Sequence, residues 1–82
     1  MPSAMDNEPA NGNRTLVLRG DHITLAQAVK AAGLAETGGQ AKVLVREGTV
    51  RVNGETVLQP GRKLHAGDRF GREGADEWTI TA

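Results

Sequence analysis

Five basic side chains of this 82-residue chain stand at spacings that suit the binding of a phosphate backbone. Lys42 and Arg46 are four residues apart, so on a helix they share one exposed stripe. Arg51 alternates with two valines and therefore points to the opposite face of a strand. Arg62 and Lys63 follow in the next connection. Such cations attract polyanions, because phosphate contacts supply most of the sequence-independent affinity of proteins for nucleic acids.

The formal net charge is zero, with ten Lys and Arg against ten Asp and Glu, but the charge is unevenly distributed. Residues 41–72 hold seven cations and three anions, a balance of +4, whereas residues 1–40 carry −1 and residues 73–82 carry −3. The basic segment contains all five cations named above, which favours a local anionic partner. From charge alone, a solvated face on which these cations pair with nearby acidic groups is the simpler interpretation.

Few other residues of the chain could carry chemistry. There is no cysteine, and His22 and His65 are far apart in sequence, so a metal site has too few ligands. Neither the P-loop pattern nor G-x-G-x-x-G occurs, so nucleotide binding has no support. Asp21 beside His22 could suggest acid–base chemistry, but no nucleophile or pocket accompanies the pair, and both are ordinary turn residues. We expect no catalytic residue, metal, cofactor or small-molecule substrate, since so short a chain has little room for an enclosed active site.

The chain divides into a tail and one domain. Residues 1–13 are polar, rich in turn residues and without periodicity, so they are predicted to be a disordered N-terminal tail. Residues 14–82 are predicted to form a single domain. The longest apolar runs have three residues, far fewer than the roughly 20 that span a membrane, and no secretory signal is recognisable. A cytoplasmic protein is expected.

Two consecutive helices are predicted to position the first cations. The first begins after Thr24 and ends at Gly33, and the second begins after Thr37 and runs to about Glu47, before a glycine. In both cases the threonine is followed three residues later by glutamine, the spacing of a capping box. Gly38 and Gly39 are poor helix formers in the first turn of the second helix, and their presence there calls for an explanation.

Short strands are predicted on both sides of these helices. Thr15–Arg19 forms the first, and Val50–Val52 follows the second helix. Asn53-Gly54 is the strongest short hairpin signal, because both positions accept a positive φ, and Glu55–Leu58 is the predicted return strand. Further turns and strands are expected at Pro60-Gly61, Ala66–Asp68, Arg69–Gly71 and Trp78–Thr81. The tryptophan is expected to be structural.

Several short motifs between Leu25 and Phe70 occur in a specific order. They are Gly33-Leu34-Ala35, Thr37, Ala41-Lys42, Gly48-Thr49-Val50-Arg51-Val52-Asn53-Gly54 and Gly67-Asp68. Each motif is weak alone, but the ordered set, without insertions, resembles the RNA-binding domain of small-subunit ribosomal protein S4, the αL motif. The first strand and Gly39-Gln40-Ala41-Lys42 are similar to the short stand-alone bacterial members of that family.

This resemblance implies an α+β fold in which two consecutive helices pack on a small, mainly antiparallel sheet with an Asn-Gly hairpin. It also implies that the two-helix face and the following hairpin bind structured RNA. The RNA-binding residues that the resemblance implies are Thr37, Gly38, Gln40, Lys42, Arg46, Arg51, Arg62 and Lys63.

Two positions depart from the pattern of the family. Thr24 and Gly38 stand where the family usually has arginine, which either lowers the affinity for RNA or moves contacts onto backbone amides. Gly38 and Gly39 would let a phosphate approach the free N–H groups of a helix N-terminus closely. Glycines that are merely tolerated near a helix end are an equally simple explanation.

The sequence therefore predicts a non-catalytic module that binds structured RNA, ribosomal or transfer RNA, as a monomer, with the ribosome as a candidate partner. Recognition by shape and phosphate contacts is expected, because aromatic side chains for base stacking are absent from the proposed face. The alternative is a protein–protein adaptor that keeps the fold and binds RNA weakly or not at all. It is motivated by the two missing arginines and the neutral net charge.

Overall fold

In the computed structural model, residues 14–74 and 77–82 are described, so the predicted tail, residues 1–13, lies outside the described residues. The predicted helices and strands occur in the predicted order, and the structure adds two short strands at Ile23–Thr24 and Lys63–Leu64. Their bounds are β1 Arg14–Val17, β2 Ile23–Thr24, α1 Leu25–Ala31, α2 Gly38–Arg46, β3 Val50–Val52, β4 Glu55–Thr56, β5 Lys63–Leu64, β6 Arg69–Arg72 and β7 Glu77–Thr81.

Five of the strands form one sheet in the order β1-β7-β6-β3-β4, and β2 pairs with β5 in a separate ribbon. β1 runs parallel to β7, and every other pair is antiparallel. The predicted α+β class, with two helices and a mainly antiparallel sheet, is confirmed. Within the described ranges, no helix has the length and apolar character needed to cross a membrane.

The two helices begin at the predicted threonines, but only one capping box is complete. At α1, Thr24 Oγ1 accepts from the Gln27 N–H at 3.2 Å, and Gln27 Oε1 accepts from the Thr24 N–H at 3.1 Å. At α2, Thr37 Oγ1 accepts from the Gln40 N–H at 3.0 Å. Gln40 Oε1, however, accepts from the N–H of Glu36, one residue earlier than predicted, at 2.6 Å. The glutamine thus secures the chain that leads into α2.

One hydrophobic core joins both helices to the sheet. Its largest fully buried side chains are Phe70, Leu25, Leu64, Ile80, Val29, Val45, Val50 and Val52. Trp78 is partly buried and packs against this cluster, with the Arg14 guanidinium 5.9 Å from the centre of its ring. The tryptophan is therefore part of the packing.

The return strand of the hairpin is shorter than predicted. Only Glu55–Thr56 is paired as β4, although the Val57 N–H still donates to the Val50 carbonyl at 3.2 Å. Leu58 points into solvent, because the chain turns at Pro60-Gly61, where the Arg62 N–H donates to the carbonyl three residues before it at 3.1 Å. Proline cannot extend the ladder, since it lacks an N–H.

The hairpin turn is fastened to the start of β6. Asn53 and Gly54 both have positive φ, 52° and 87°, as a two-residue type I′ turn requires. The Asn53 Nδ2 donates to Asp68 Oδ1 at 3.3 Å, and Asn53 Oδ1 accepts from the Arg69 N–H at 3.0 Å. Asp68 Oδ2 accepts from the His65 N–H at 2.7 Å. We call these four residues, Asn53, His65, Asp68 and Arg69, the turn clamp.

The hydrogen bond from the His65 N–H is the main cause that holds the pKa of Asp68 below its ordinary value of 3.8. Partial burial opposes this shift, whereas the Asn53 amide and the charges of His65 and Arg62 assist it. A carboxylate held in its charged form by such bonds stabilises the fold at neutral pH.

We expect Asp68→Asn to lower the free energy of unfolding at pH 7 by about 1–2 kcal/mol, because an amide cannot replace both charge-assisted acceptors. The pKa of Asp68 is lower in the folded than in the unfolded chain, so its contribution is complete above the unfolded value. It is lost as the pH falls through the folded value. Urea unfolding at pH 7 and in steps below pH 4 measures this, with the exposed Asp21→Asn as control. An Asp68→Asn deficit that stays constant down to the lowest pH would contradict the role of the charge.

Candidate nucleic-acid interface

The cations of α2 lie on a stripe whose direction is fixed by the core. Ala41 and Val45 are fully buried, and Lys42 and Arg46, the next residue after each, are exposed. Both cations therefore lie on one flank of the helix, as their spacing of four predicts. Val43 lies about 200° around the axis from Ala41 and is half exposed, which agrees with the helical period. We call Lys42 and Arg46 the α2 stripe.

The N-terminus of α2 differs from that of α1. The first two N–H groups of α1 donate to the carbonyls of Arg62 and Pro60 at 2.8 and 3.0 Å. In the part of the chain that the structure describes, no acceptor faces the N–H of Gly38 or Gly39. A Cβ added at Gly38 would meet nothing within 4 Å, so packing does not require glycine there. Two backbone donors at the positive end of a helix are thus open to an anion.

The two polar side chains predicted at this end take part in the helix cap. Thr37 and Gln40 accept the hydrogen bonds described above, so their oxygens are engaged within the protein. Gln40 is two residues from Lys42, about 200° around the helix, and lies on the other flank. The structure therefore groups Thr37 with Gly38 at the helix N-terminus and separates Gln40 from the α2 stripe.

Arg51 lies beyond the opposite end of α2. Its Nη2 is 3.2 Å from Glu73 Oε2, and the two side chains are 48% and 64% exposed. The Glu73 N–H donates to the Thr49 carbonyl at 2.8 Å, and the Thr49 hydroxyl donates to the Leu44 carbonyl at 2.8 Å. These bonds tie the Arg51–Glu73 pair to the last turn of α2, which also carries one end of the α2 stripe.

A groove of about 230 Å³ opens beside Arg51 on the sheet. Strand register places Arg51 next to Gly71, and Gly71 next to Glu77. The groove is lined by Arg51, Gly54, Gly71, Arg72, Glu73, Gly74 and Glu77, and we call it the sheet groove. Among these residues the sequence singled out only Arg51 for binding. A prediction that Val52 pairs with Phe70 would have placed β6, and the residues that follow it, beside Arg51.

Arg62 and Lys63 lie elsewhere, at the start of α1. The Arg62 carbonyl accepts from the first N–H of α1, and Lys63 is the register partner of Thr24 in the ribbon of β2 and β5. Both side chains are exposed. The hydrogen bonds that tie Arg51 to α2 do not include them. The predicted residues thus form three groups: the α2 N-terminus, the α2 stripe with Arg51, and the ribbon at α1.

Among known protein families, the model described as "S4 domain" matches residues 16–76 of this chain. The chain belongs to the S4 domain family. It is 44% identical over 58 residues to the probable ribosome maturation protein RlbA of Bacillus subtilis (strain 168), covering 71% of this chain and 82% of that protein. Residues 16–76 of the family match include α1, α2 and the hairpin. The predicted family is confirmed.

The S4 domain assignment is supported by a solved structure. The solution structure of YbcJ from E. coli, reported to contain an αL motif involved in RNA binding, superposes with a TM-score of 0.63. The sequences are 25% identical, and the match covers 92% of each chain. The αL architecture of this S4 domain therefore extends over nearly the whole described chain.

The open space at Gly38 gives a stability prediction. Gly38→Ala should raise the free energy of unfolding by up to about 1 kcal/mol, because alanine favours the helix and meets no neighbour. The matched control is Gly48→Ala, where φ is +79° and alanine should destabilise the protein by about 1 kcal/mol or more. Urea or thermal unfolding measures both variants. A loss of stability in Gly38→Ala would show that the fold itself requires this glycine.

Proposed function

We propose that this S4 domain binds structured RNA, ribosomal or transfer RNA, by phosphate contacts and carries out no catalysis. The observation that carries the proposal is the family match over residues 16–76, which contain both helices, the hairpin and the exposed cations. The RNA-binding description of YbcJ supports RNA as the ligand, and the ribosome maturation name of RlbA supports a ribosomal context.

In the proposed complex, the RNA backbone lies along α2. The nine residues of this helix span about 13 Å, with the free amides of Gly38 and Gly39 at one end and Arg46 at the other. Arg51 continues the surface beyond the helix, and Arg62 and Lys63 contact a separate part of the RNA. Thr37 and Gln40 support the α2 end by capping it. Recognition uses shape and phosphates, because Phe70 is buried and Trp78 packs against the core.

The adaptor alternative is not favoured by the family and structural comparisons. It was motivated by the missing arginines at Thr24 and Gly38. The Thr24 side chain completes the capping box of α1, and the glycine at position 38 leaves backbone donors open. Thr24 and Gly38, which stand where the family usually has arginine, are therefore both compatible with a domain that binds phosphate through backbone amides as well as through cations.

We further propose that residues 14–82 act as one domain, that the protein works as a monomer in the cytoplasm, and that it needs no cofactor. A ribosomal context supports the cytoplasmic site, since RlbA is named for ribosome maturation. The buried side chains of the described residues support a binding role, because they all belong to one core.

Charge reversal on the α2 stripe tests the interface. Lys42→Glu and Arg46→Glu should each weaken binding to a folded transfer RNA and to a ribosomal RNA hairpin by about tenfold or more in 50 mM salt. Each should also reduce the slope of log K against log salt by about 0.9 or more, because a phosphate contact is lost. Fluorescence anisotropy measures both quantities, and circular dichroism checks the fold.

The control for charge is Arg19→Glu, an exposed cation outside the basic segment, which should change the affinity far less. Unchanged affinity in both stripe variants would refute the interface and favour the adaptor.

The same anisotropy assay tests whether Gly38 contributes to RNA binding or is only tolerated at the helix end. Gly38→Ala should weaken RNA binding by about threefold or more while the protein becomes more stable, because a methyl group keeps the phosphate away from the helix amides. Higher stability with unchanged affinity would mean that this glycine is only tolerated at the helix end.

A further inference from the structure

We infer that the sheet groove is an additional phosphate-binding position, and that Glu73 competes there with the RNA for Arg51. This inference rests on the proposed RNA-binding function and adds a regulatory residue to it. The acidic side chain sets the affinity of the site and makes occupation of the groove depend on the path of the RNA backbone.

The contact between Arg51 and Glu73 has the geometry of a replaceable pair. A single guanidinium nitrogen meets a single carboxylate oxygen at 3.2 Å, and both side chains are about half exposed or more. Exposed ion pairs of this kind contribute little to stability. A phosphate can bind the guanidinium through two parallel hydrogen bonds, so it can replace the single carboxylate contact.

Glu73 is held at this place by the backbone and not only by the ion pair. Its N–H donates to the Thr49 carbonyl at 2.8 Å, and Thr49 is bonded through its hydroxyl to Leu44 near the end of α2. The backbone that carries the competing carboxylate is therefore held close to the last turn of α2. An RNA backbone that follows the stripe past Arg46 reaches this position next.

The groove beside the pair can admit a phosphate. Its volume is about 230 Å³, and part of its wall is glycine. A Cβ added at Gly54 or Gly74 would meet nothing within 4 Å, so these walls border open space. Arg72 supplies a second cation, whereas Glu73 and Glu77 supply two anions. The lining of the groove is thus neutral overall, and an anion gains a net positive site only when Glu73 moves away from Arg51.

A neutral site of this kind selects RNA by geometry. A polyanion that touches only the α2 stripe leaves the Arg51–Glu73 pair intact and gains nothing from the groove. A folded RNA that directs a phosphate into the groove exchanges one contact of Arg51 for a better one. Specificity therefore comes partly from a repulsive group, which penalises the partners that do not fit.

The test compares Glu73→Gln with Glu55→Gln, an exposed glutamate of the adjacent hairpin that does not line the groove. Glu73→Gln should raise the affinity for the RNA hairpin about two- to fivefold in 50 mM salt, because the glutamine no longer competes for Arg51. It should also steepen the salt slope by up to about 0.9, since the Arg51 contact then adds a net charge. Glu55→Gln should alter both quantities much less.

The effect must depend on Arg51. In an Arg51→Gln background, adding Glu73→Gln should give no further gain in affinity, which a double-mutant cycle measures. An equal gain in that background, or an equal gain from Glu55→Gln, would reduce the effect to general charge and overturn the inference. If Lys42→Glu weakens binding but Glu73→Gln leaves it unchanged, the proposed function stands and the inference fails. If the wild-type protein binds neither RNA, the proposed function itself fails.

Discussion

The turn clamp between Asn53 and Asp68 determines which side chains the sheet presents to a ligand. Asn53 bonds to Arg69 through its side chain and also through its N–H, which donates to the Arg69 carbonyl at 2.7 Å. This fixes the register in which Val52 faces Phe70 and Arg51 faces Gly71. A slip of one residue would turn Arg51 toward the core and expose Val52, because side chains alternate between the two faces of a strand. The position of Arg51 on the sheet therefore depends on a hydrogen-bond network in the neighbouring turn.

In α2, too, the core determines which side chains face solvent, because buried and exposed residues are adjacent in sequence. Ala41 and Val45 are buried, and each is followed directly by a cation of the α2 stripe. Since the core residues set the rotation of the helix, the direction of the cations follows from packing and needs no contacts of their own. Exposed cations can therefore change with little effect on stability, whereas a change in the turn clamp affects folding and the position of Arg51 together.

Local signals allowed the helices to be predicted well, because each boundary depends on a few neighbouring residues. Thr24 and Thr37 cap the helices, and the glycines at 33 and 48 end them with φ near +80°. The parallel pairing of β1 with β7 could not be predicted in this way, since it joins opposite ends of the domain. For the same reason the sequence missed Glu73 and Arg72, whose place beside Arg51 follows from cross-strand register. The α2 cations could be predicted from spacing alone, whereas the position of Arg62 and Lys63 at α1 required the fold.

The neutral net charge of the chain can be related to selectivity through the pairing of Arg51 with Glu73. A strongly basic surface binds any polyanion, because phosphate contacts carry no sequence or shape information by themselves. Here the freely exposed cations of α2 are few, and Arg51 is already paired with a carboxylate. In the proposed complex a phosphate contact to Arg51 must therefore replace an existing one, so an RNA that reaches both the α2 stripe and the groove gains more than one that touches the stripe alone. Glu73, one of the three anions of residues 73–82, thus opposes binding at Arg51 in the proposed complex unless the RNA supplies a phosphate that replaces it.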